Sequence, residues 1–499
     1  MTTSISNDSV VLEPRARPAA VRSATDSAKR RHTLASRLAF LTICVMIVLT
    51  TLAFGTVHDW ALATFAVTAA GLVCLWCLDG LVLGSVQLNR NALQAPLLGL
   101  ILLGLFQLLP LRGAQDDAGL GLSLTRALTL DRYATQLVLV QLVSLFIYFA
   151  AVVIFTDSPR RLRNLTRTII IFGFVLAIFG LTQSLTSDGT RVYWFRQLTQ
   201  STAFGPFINR HHFAGYMELA IALPLGLLVS GSLETHKRPL YAFAALLMAV
   251  SLILTNSRGG MISLMAEVIF VIVIAGPGAS TSERARPGNR VRGMLLRAAA
   301  ALGFAVILFF GAIAIGGPSV FNRLLGTVNA SDPTTGRAHF WHVTLDVIGH
   351  HPFIGSGLGS FGVIYTHYDS RNGLYRLEQA HNDYLQILAD TGIIGGLLGL
   401  SFLVLLFGKG FARRSSSDKF RRGVATGALA GCFAVLVHSA FDFTLHTTAN
   451  ALLFLVLAAM ATVGHRVEEG GGQRRRRRRK ETTIIESATP VPALSESNL

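Results

Sequence analysis

An all-α fold, polytopic in a membrane with about 12 transmembrane helices, is what this 499-residue sequence predicts. Three observations carry that expectation. Hydrophobic types make up 51 % of the chain and charged types 14 %, with a mean hydropathy of +0.52, whereas a soluble domain carries about 25 % charged residues. Apolar runs recur along the chain, each about 20 residues long, the length that takes a helix across a hydrocarbon core. Basic residues gather in alternate gaps between these runs, as they do on the cytoplasmic side of membrane proteins. The composition excludes a purely soluble enzyme and also excludes disorder throughout.

The runs fall at 37–55, 61–82, 93–111, 135–156, 167–185, 212–232, 239–256, 260–277, 297–317, 391–408, 423–440 and 447–464. With the N-terminus cytoplasmic, every gap on the cytoplasmic side holds a basic residue, and the even number of runs returns the C-terminus to that side. The formal charge of +17 is therefore read as topology and not as a nucleic-acid signal. The sequence divides into a basic, disordered tail at 1–36, a membrane domain at 37–464, and a second disordered tail at 465–499. The run Arg474–Arg479 in the second tail reads as a cytoplasmic stop signal that attracts anionic lipid. No folded module or interleaved aromatics accompany it, so no nucleic acid is expected as a partner. Cys44, Cys74, Cys77 and Cys432 all lie in apolar runs, where small buried thiols are ordinary and no disulfide framework is implied. The polar, basic N-terminus does not read as a cleavable signal peptide.

One gap, about 318–390, is long and falls on the outer side. Long structured connections in a compact membrane protein usually carry function. It contains Gly336-Arg337-Ala338-His339-Phe340-Trp341, then His351-Pro352 followed by Gly355-x-Gly357-x-Gly359, then Ala380-His381-Asn382-Asp383-Tyr384-Leu385. Two other outer segments hold Asn209-Arg210-His211-His212-Phe213 and Asn256-Ser257-Arg258-Gly259-Gly260.

Arg258 lies between two apolar runs with almost no loop around it, so its charge sits near the membrane surface and needs a partner. It either snorkels or pairs with a carboxylate, or it clamps an anion, since guanidinium gives planar, bidentate hydrogen bonds to phosphate. Ser257 with Gly259 and Gly260 suits a tight turn whose N–H groups help hold that anion. Arg210 and Arg337 are similar candidates. Residues 380–391 read as a helix start running into the tenth run, with His381 in the first turn on the face of Leu385 and Asn382 on the face of Gln386. An imidazole there either caps the helix or exchanges a proton with a hydroxyl or phosphate oxygen. His339 and His342 are three apart but lack the acidic neighbour of a zinc motif, so no metal is expected. The three glycines are not a dinucleotide fingerprint; they allow a tight turn or a close backbone approach to a ligand. Asp442, just past the eleventh run, is expected to pair with an arginine, with a proton relay as its other reading.

These residues together suit an outward-facing site for a phosphate-bearing lipid. Taken in order, they also resemble the O-antigen ligase and O-antigen polymerase superfamily of bacterial envelope glycosyltransferases. The matching pieces are Gly205 to Phe213, Thr255 to Gly260, Arg337 with Trp341, His351 to Phe361, Ala380 to Leu385 and Ser439 to Phe443, a core of about 205–455. The resemblance implies a GT-C-like enzyme of the bacterial inner membrane, with both termini cytoplasmic and its active site periplasmic. Such an enzyme moves a glycan from a polyprenyl-diphosphate carrier to a glycan or lipid A-core acceptor, inverts the anomeric centre, and uses neither metal nor cofactor. It further implies His381, Arg258 and Arg337 as catalytic residues, and Arg210, Asn209, His212, Asn382 and Ser257 as substrate-binding residues. The first two hundred residues and the tail depart from a typical ligase and leave ligase against polymerase open. The alternative class is a transporter of bicarbonate or of a lipid-linked glycan, which would place ionisable residues at mid-span; Asp79 and Glu267 are the main ones here.

Overall fold

The computed structural model describes residues 32–116, 123–199, 201–274, 299, 303, 337–370, 377–414 and 416–463. Its helices are α1 (Leu34–Leu52), α2 (Asp59–Leu83), α3 (Gln94–Gln107), α4 (Arg132–Phe155), α5 (Pro159–Thr186), α6 (Arg210–Val229), α7 (Arg238–Leu254), α8 (Arg258–Ile274), α9 (Arg337–His350), α10 (Phe361–Tyr368), α11 (Asp383–Arg413), α12 (Lys419–His438) and α13 (Thr448–Thr462). Every expected run except 297–317 coincides with one of them; that run apart from residues 299 and 303, residues 1–31, the whole second tail and the segments 318–336 and 371–376 of the long connection lie outside the described residues. Eight helices among the described residues are long and apolar enough to cross a membrane. The protein is thus an α-helical, multi-pass membrane protein. Helices α3, α8 and α13 are shorter, with 14, 17 and 15 residues.

The boundaries shift for local reasons. Helix α1 begins at Leu34, inside the expected tail, because the Thr33 hydroxyl accepts the Ser36 N–H as its cap. Helix α5 starts at Pro159, eight residues before the apolar run, since Ser158 caps it and proline suits the first turn. Two small antiparallel hairpins, β1 (Arg112–Asp116) with β2 (Ser123–Arg126) and β3 (Arg191–Val192) with β4 (Arg196–Gln197), depart from a purely helical expectation.

Helices α6 and α12 form the centre of the bundle. Their most apolar windows are 83 % and 72 % buried, against 22 % for α2 at the periphery. They meet through small residues, the arrangement that lets helices approach closely without a hydrophobic driving force. A Cβ on Gly226 would stand 2.4 Å from Gly423 O, and one on Gly427 would stand 2.4 Å from Ala222 O. This contact joins α6 and α12 along their length.

The turn 351–360 is keyed into a kink of α11. Gly392 has φ 62° and ψ −164°, which interrupts the helix. The N–H groups freed at Ile393 and Ile394 are taken by the carbonyls of Pro352 (2.8 Å) and Phe353 (3.2 Å). Gly355 and Gly357 have positive φ and approach Asp390 and Thr129 so closely that a Cβ would fall within 2.3 and 1.9 Å of them. The glycine spacing therefore serves close backbone approach to the protein's own α11 and to the segment before α4.

Candidate active site

The site gathers around Asp442, in the connection between α12 and α13, whose side chain is only 1 % exposed. Its Oδ1 accepts hydrogen bonds from His381 Nδ1 at 3.1 Å and from the Phe443 N–H at 3.0 Å. Its Oδ2 accepts from a guanidinium nitrogen of Arg337 at 3.1 Å. The other guanidinium nitrogen of Arg337 donates to the Phe441 carbonyl, so α9 is clamped onto this connection. Burial alone would raise the Asp442 pKa. The His381 hydrogen bond, the neighbouring His211 and His381 rings and the Arg337 guanidinium outweigh it and hold the carboxyl well below the usual range.

His381 does not lie in the first turn of α11. It precedes Asn382, which is the N-cap: the Asn382 amide oxygen accepts from the N–H groups of Tyr384 (3.0 Å) and Leu385 (3.1 Å). His381 itself takes φ 51°, an unusual conformation for a non-glycine residue. That reversal turns the ring from the expected face beside Leu385 toward Asp442. An ionised carboxylate only accepts, so Nδ1 carries the proton and Nε2 is left as an acceptor. The ring stands beside Phe340 (centroids 6.3 Å apart) and edge-on to Phe443 (4.8 Å), and is 25 % exposed. Asn382 also donates to the Ala440 carbonyl at 3.2 Å. Next to it, Asp383 accepts from Ser439 Oγ (2.7 Å) and from His446 Nδ1 (2.7 Å). Burial lowers the His446 pKa, but the bond to Asp383 and its charge more than offset this and raise it.

Arg210 and Arg258 are the first residues of α6 and α8 and are half-buried. Cations at helix N-termini oppose the macrodipole, so these positions do not serve helix stability. The start of α8 lies against the Asp442 connection: a Cβ on Gly259 would stand 2.6 Å from the His438 ring and 3.3 Å from Phe441 Cβ. The structure thus brings Arg210, Arg258, Arg337 and His381 to one end of the bundle.

The remaining expected residues play structural parts. Asn209 caps α6 by accepting the His211 N–H at 2.9 Å. Ser257 is fully buried, and its Oγ accepts the Gly260 N–H at 3.2 Å to cap α8. His212 is turned into the core, edge-on to Phe443 at 5.0 Å. Its neighbour His211, which sequence reasoning passed over, faces the site instead. His211 Nδ1 lies 2.8 Å from Ser257 Oγ and 3.6 Å from Asp442 Oδ2. The available signal was Asn209: a cap there fixes the register of the first turn and so decides which of the two histidines turns outward.

His211, His438 and Asp442 offer donor atoms within 4.8 Å of one another. Arg337 already occupies the Asp442 oxygen on that side, so a divalent cation would have to displace a guanidinium and the set fits a metal poorly. His339 is held by Asp369 at 2.9 Å. Beside the site an apolar groove of 730 Å³ opens between α8, α11 and α12, lined by residues such as Ile262, Leu403, Phe407, Phe433 and Phe441.

Residues 243–400, from α7 into α11, match the family model of the O-antigen ligases. This segment is similar to an O-antigen ligase domain. The matched segment contains Arg258, Arg337 and His381, whereas Arg210, His211 and Asp442 lie outside it. The match supports a likeness to the O-antigen ligase and polymerase superfamily, whose members work in polysaccharide synthesis as glycosyltransferase-type enzymes on glycan and lipid-linked substrates. No curated protein matches the chain.

Proposed function

We propose that this protein transfers a glycan from a polyprenyl-diphosphate carrier to a sugar hydroxyl at the periplasmic face of the inner membrane, with inversion and without a metal. The observation that carries the reading is the convergence on Asp442 of His381, Arg337 and the first turns of α6 and α8 with Arg210 and Arg258, beside an apolar groove. Cationic side chains at helix N-termini form a ready anion site, and the groove offers an apolar surface where an isoprenoid chain can lie.

In this reading the acceptor hydroxyl gives its proton to His381 Nε2 while its oxygen bonds to the anomeric carbon. The bond from that carbon to the diphosphate breaks, and the diphosphate keeps the electron pair. The developing charge is met by arginine donors already in place, which act most strongly in the transition state. Asp442 fixes the His381 tautomer and stabilises the imidazolium. Phe340 and Phe443 frame the imidazole with apolar surface on which a sugar ring can rest.

The test is transfer by the full chain in proteoliposomes carrying a lipid-diphosphate-linked glycan, read as release of polyprenyl diphosphate. His381→Ala and Arg258→Ala are each expected to lower kcat by about 10²–10³-fold while the protein still inserts. Near-normal turnover in both variants would overturn the assignment. In cells, deletion of the gene separates the two acceptor classes: loss of the whole ladder from lipid A-core with lipid-linked polymer accumulating indicates a ligase, and a single remaining repeat indicates a polymerase. An unchanged glycan profile with altered bicarbonate uptake would favour the transporter.

A further inference from the structure

A second carboxylate–imidazole pair lies beneath the first. Glu218 on α6 and His438 at the end of α12 are both fully buried, with Glu218 Oε1 at 2.8 Å from His438 Nδ1. The other ring nitrogen, His438 Nε2, is 3.4 Å from Ser257 Oγ, which is 2.8 Å from His211 Nδ1. An unbroken chain therefore runs Glu218–His438–Ser257–His211 from the bundle core to the site. His211 Nε2, at its end, makes no hydrogen bond among the described residues.

The direction of every bond in this chain follows from one requirement. Glu218 Oε2 is buried without a partner, and neighbouring Glu267 on α8 is buried with both oxygens unpartnered. A net charge is expensive in such surroundings, so the Glu218–His438 pair is neutral as a unit. A neutral pair holds two protons, and buried Oε2 has no acceptor to receive one, so one lies between Glu218 Oε1 and His438 Nδ1 and the other is on His438 Nε2. His438 Nε2–H then donates to Ser257 Oγ. Ser257 also accepts the Gly260 N–H, so its own hydroxyl proton has one place to go, His211 Nδ1. His211 Nδ1 is thus an acceptor, which agrees with its 3.6 Å separation from the ionised Asp442 Oδ2, too long for a hydrogen bond. The remaining groups with charge near His211 are Arg210 and Arg337.

We infer that Glu218, His438 and Ser257 lock His211 as the neutral Nε2–H tautomer, making it a hydrogen-bond donor for the diphosphate of the lipid-linked donor. His211 adjoins Arg210 and the start of α8, the cationic side of the site, whereas His381 stands between Phe340 and Phe443 on the aromatic side. The two imidazoles divide the substrate: His381 Nε2 accepts from the sugar hydroxyl, and His211 Nε2–H donates to the phosphate. Glu218, His438 and Ser257 are positioning residues. This inference rests on the proposed function for its ligand and on the buried chain alone for its tautomer.

The experiment is nitrogen-15 NMR of histidine-labelled full chain in nanodiscs, with His211→Gln assigning the signal, followed by binding of polyprenyl diphosphate. The wild type is expected to show His211 protonated at Nε2 only. Ser257→Ala cuts the chain, so His211 is expected to shift its proton to Nδ1 toward Asp442, and polyprenyl diphosphate to bind about tenfold more weakly, the effect of one lost bond to a charged group. A wild-type His211 protonated at Nδ1, or at both nitrogens, overturns the inference, and that measurement stands even if the variant does not fold. Unchanged binding by a folded Ser257→Ala also overturns it. A wild type with the Nε2–H tautomer that binds no polyprenyl diphosphate refutes the donor reading and leaves the tautomer lock intact.

Discussion

Asp442 unites at one carboxylate three side chains from three different helices or their flanks. Replacing it with asparagine keeps the shape, yet leaves Arg337 beside a neutral amide and frees His381 to choose its tautomer. Asp442→Asn is expected to lower kcat by about 10²–10³-fold, checked by turnover in proteoliposomes, with more modest change in KM. The carboxyl's depressed pKa also has a stability consequence. Its contribution is complete above the ordinary carboxylate range and is lost only as pH falls below it toward the folded value. His446 has the opposite sign. Its raised pKa means that the stability gained from Asp383 is complete below the ordinary imidazole value and is lost as pH rises through the folded one. The Tm difference between wild type and His446→Gln should therefore be largest near pH 6 and shrink in alkaline buffer; a constant difference would contradict the ion pair. Arg258 was legible in the sequence because it stands between two apolar runs, where a charge needs a partner, and Arg337 and His381 because they stand in the one long outer connection. His211 was not, because a one-residue change of register separates it from buried His212. Asp442 was legible as an arginine partner but not as the junction of the site, since its contacts span more than two hundred residues of sequence.

The elements hold this junction because two helices can touch backbone to backbone. Gly423, Gly427 and Gly431 recur every fourth residue on α12, facing α6. The approach they allow also brings Glu218 of α6 to His438 of α12. Gly427→Val places atoms where Ala222 O and Leu223 Cα now lie. It is expected to destabilise the protein by at least about 1–3 kcal/mol, the usual effect of overpacking, seen as a lower Tm in nanodiscs, and to reduce transfer although no site residue is touched. An unchanged Tm would show that α6 and α12 separate easily and that the buried chain is not rigidly held. Runs of apolar residues made the existence of these helices plain. Their ends were harder, because polar first turns such as those of α5 and α11 are set by caps at Ser158 and Asn382 and not by hydropathy. The two hairpins left no signal, being only two to five residues per strand.

At the scale of the whole molecule, charge and chemistry separate to opposite ends of the bundle. The site end holds the starts of α6, α8 and α11 and the end of α12. The other end holds Arg160, Arg161 and Arg163 at the start of α5, Lys409 and Arg413 at the end of α11, and Lys419, Arg421 and Arg422 at the start of α12. Several of these also tie helices together. Buried Arg161 donates to the Ser36 carbonyl and hydroxyl of α1, both at 2.9 Å, and fully buried Arg421 donates to the Val463 carbonyl just past the end of α13 at 2.8 Å. Arg421, and Arg161 through a further bond to the Phe155 carbonyl at the end of α4 (3.0 Å), satisfy helix C-terminal carbonyls that nothing in a bilayer core could satisfy. The number of basic residues at this end also exceeds that need, and in the proposed orientation this excess puts that end in the cytoplasm. The site then faces away from the cytosol, where a lipid-linked glycan would be presented. An impermeant maleimide tests this in a background with Cys44, Cys74, Cys77 and Cys432 replaced. A cysteine at Thr190, at the site end beside β3, is expected to label in cells with a permeable outer membrane and an intact inner one. A cysteine at Ser416, between α11 and α12, is expected to label only after lysis. The reverse pattern would put His381 and its arginines in the cytosol. The glycan would then have to be joined before the carrier crossed the membrane, and the proposed reaction would be lost with it.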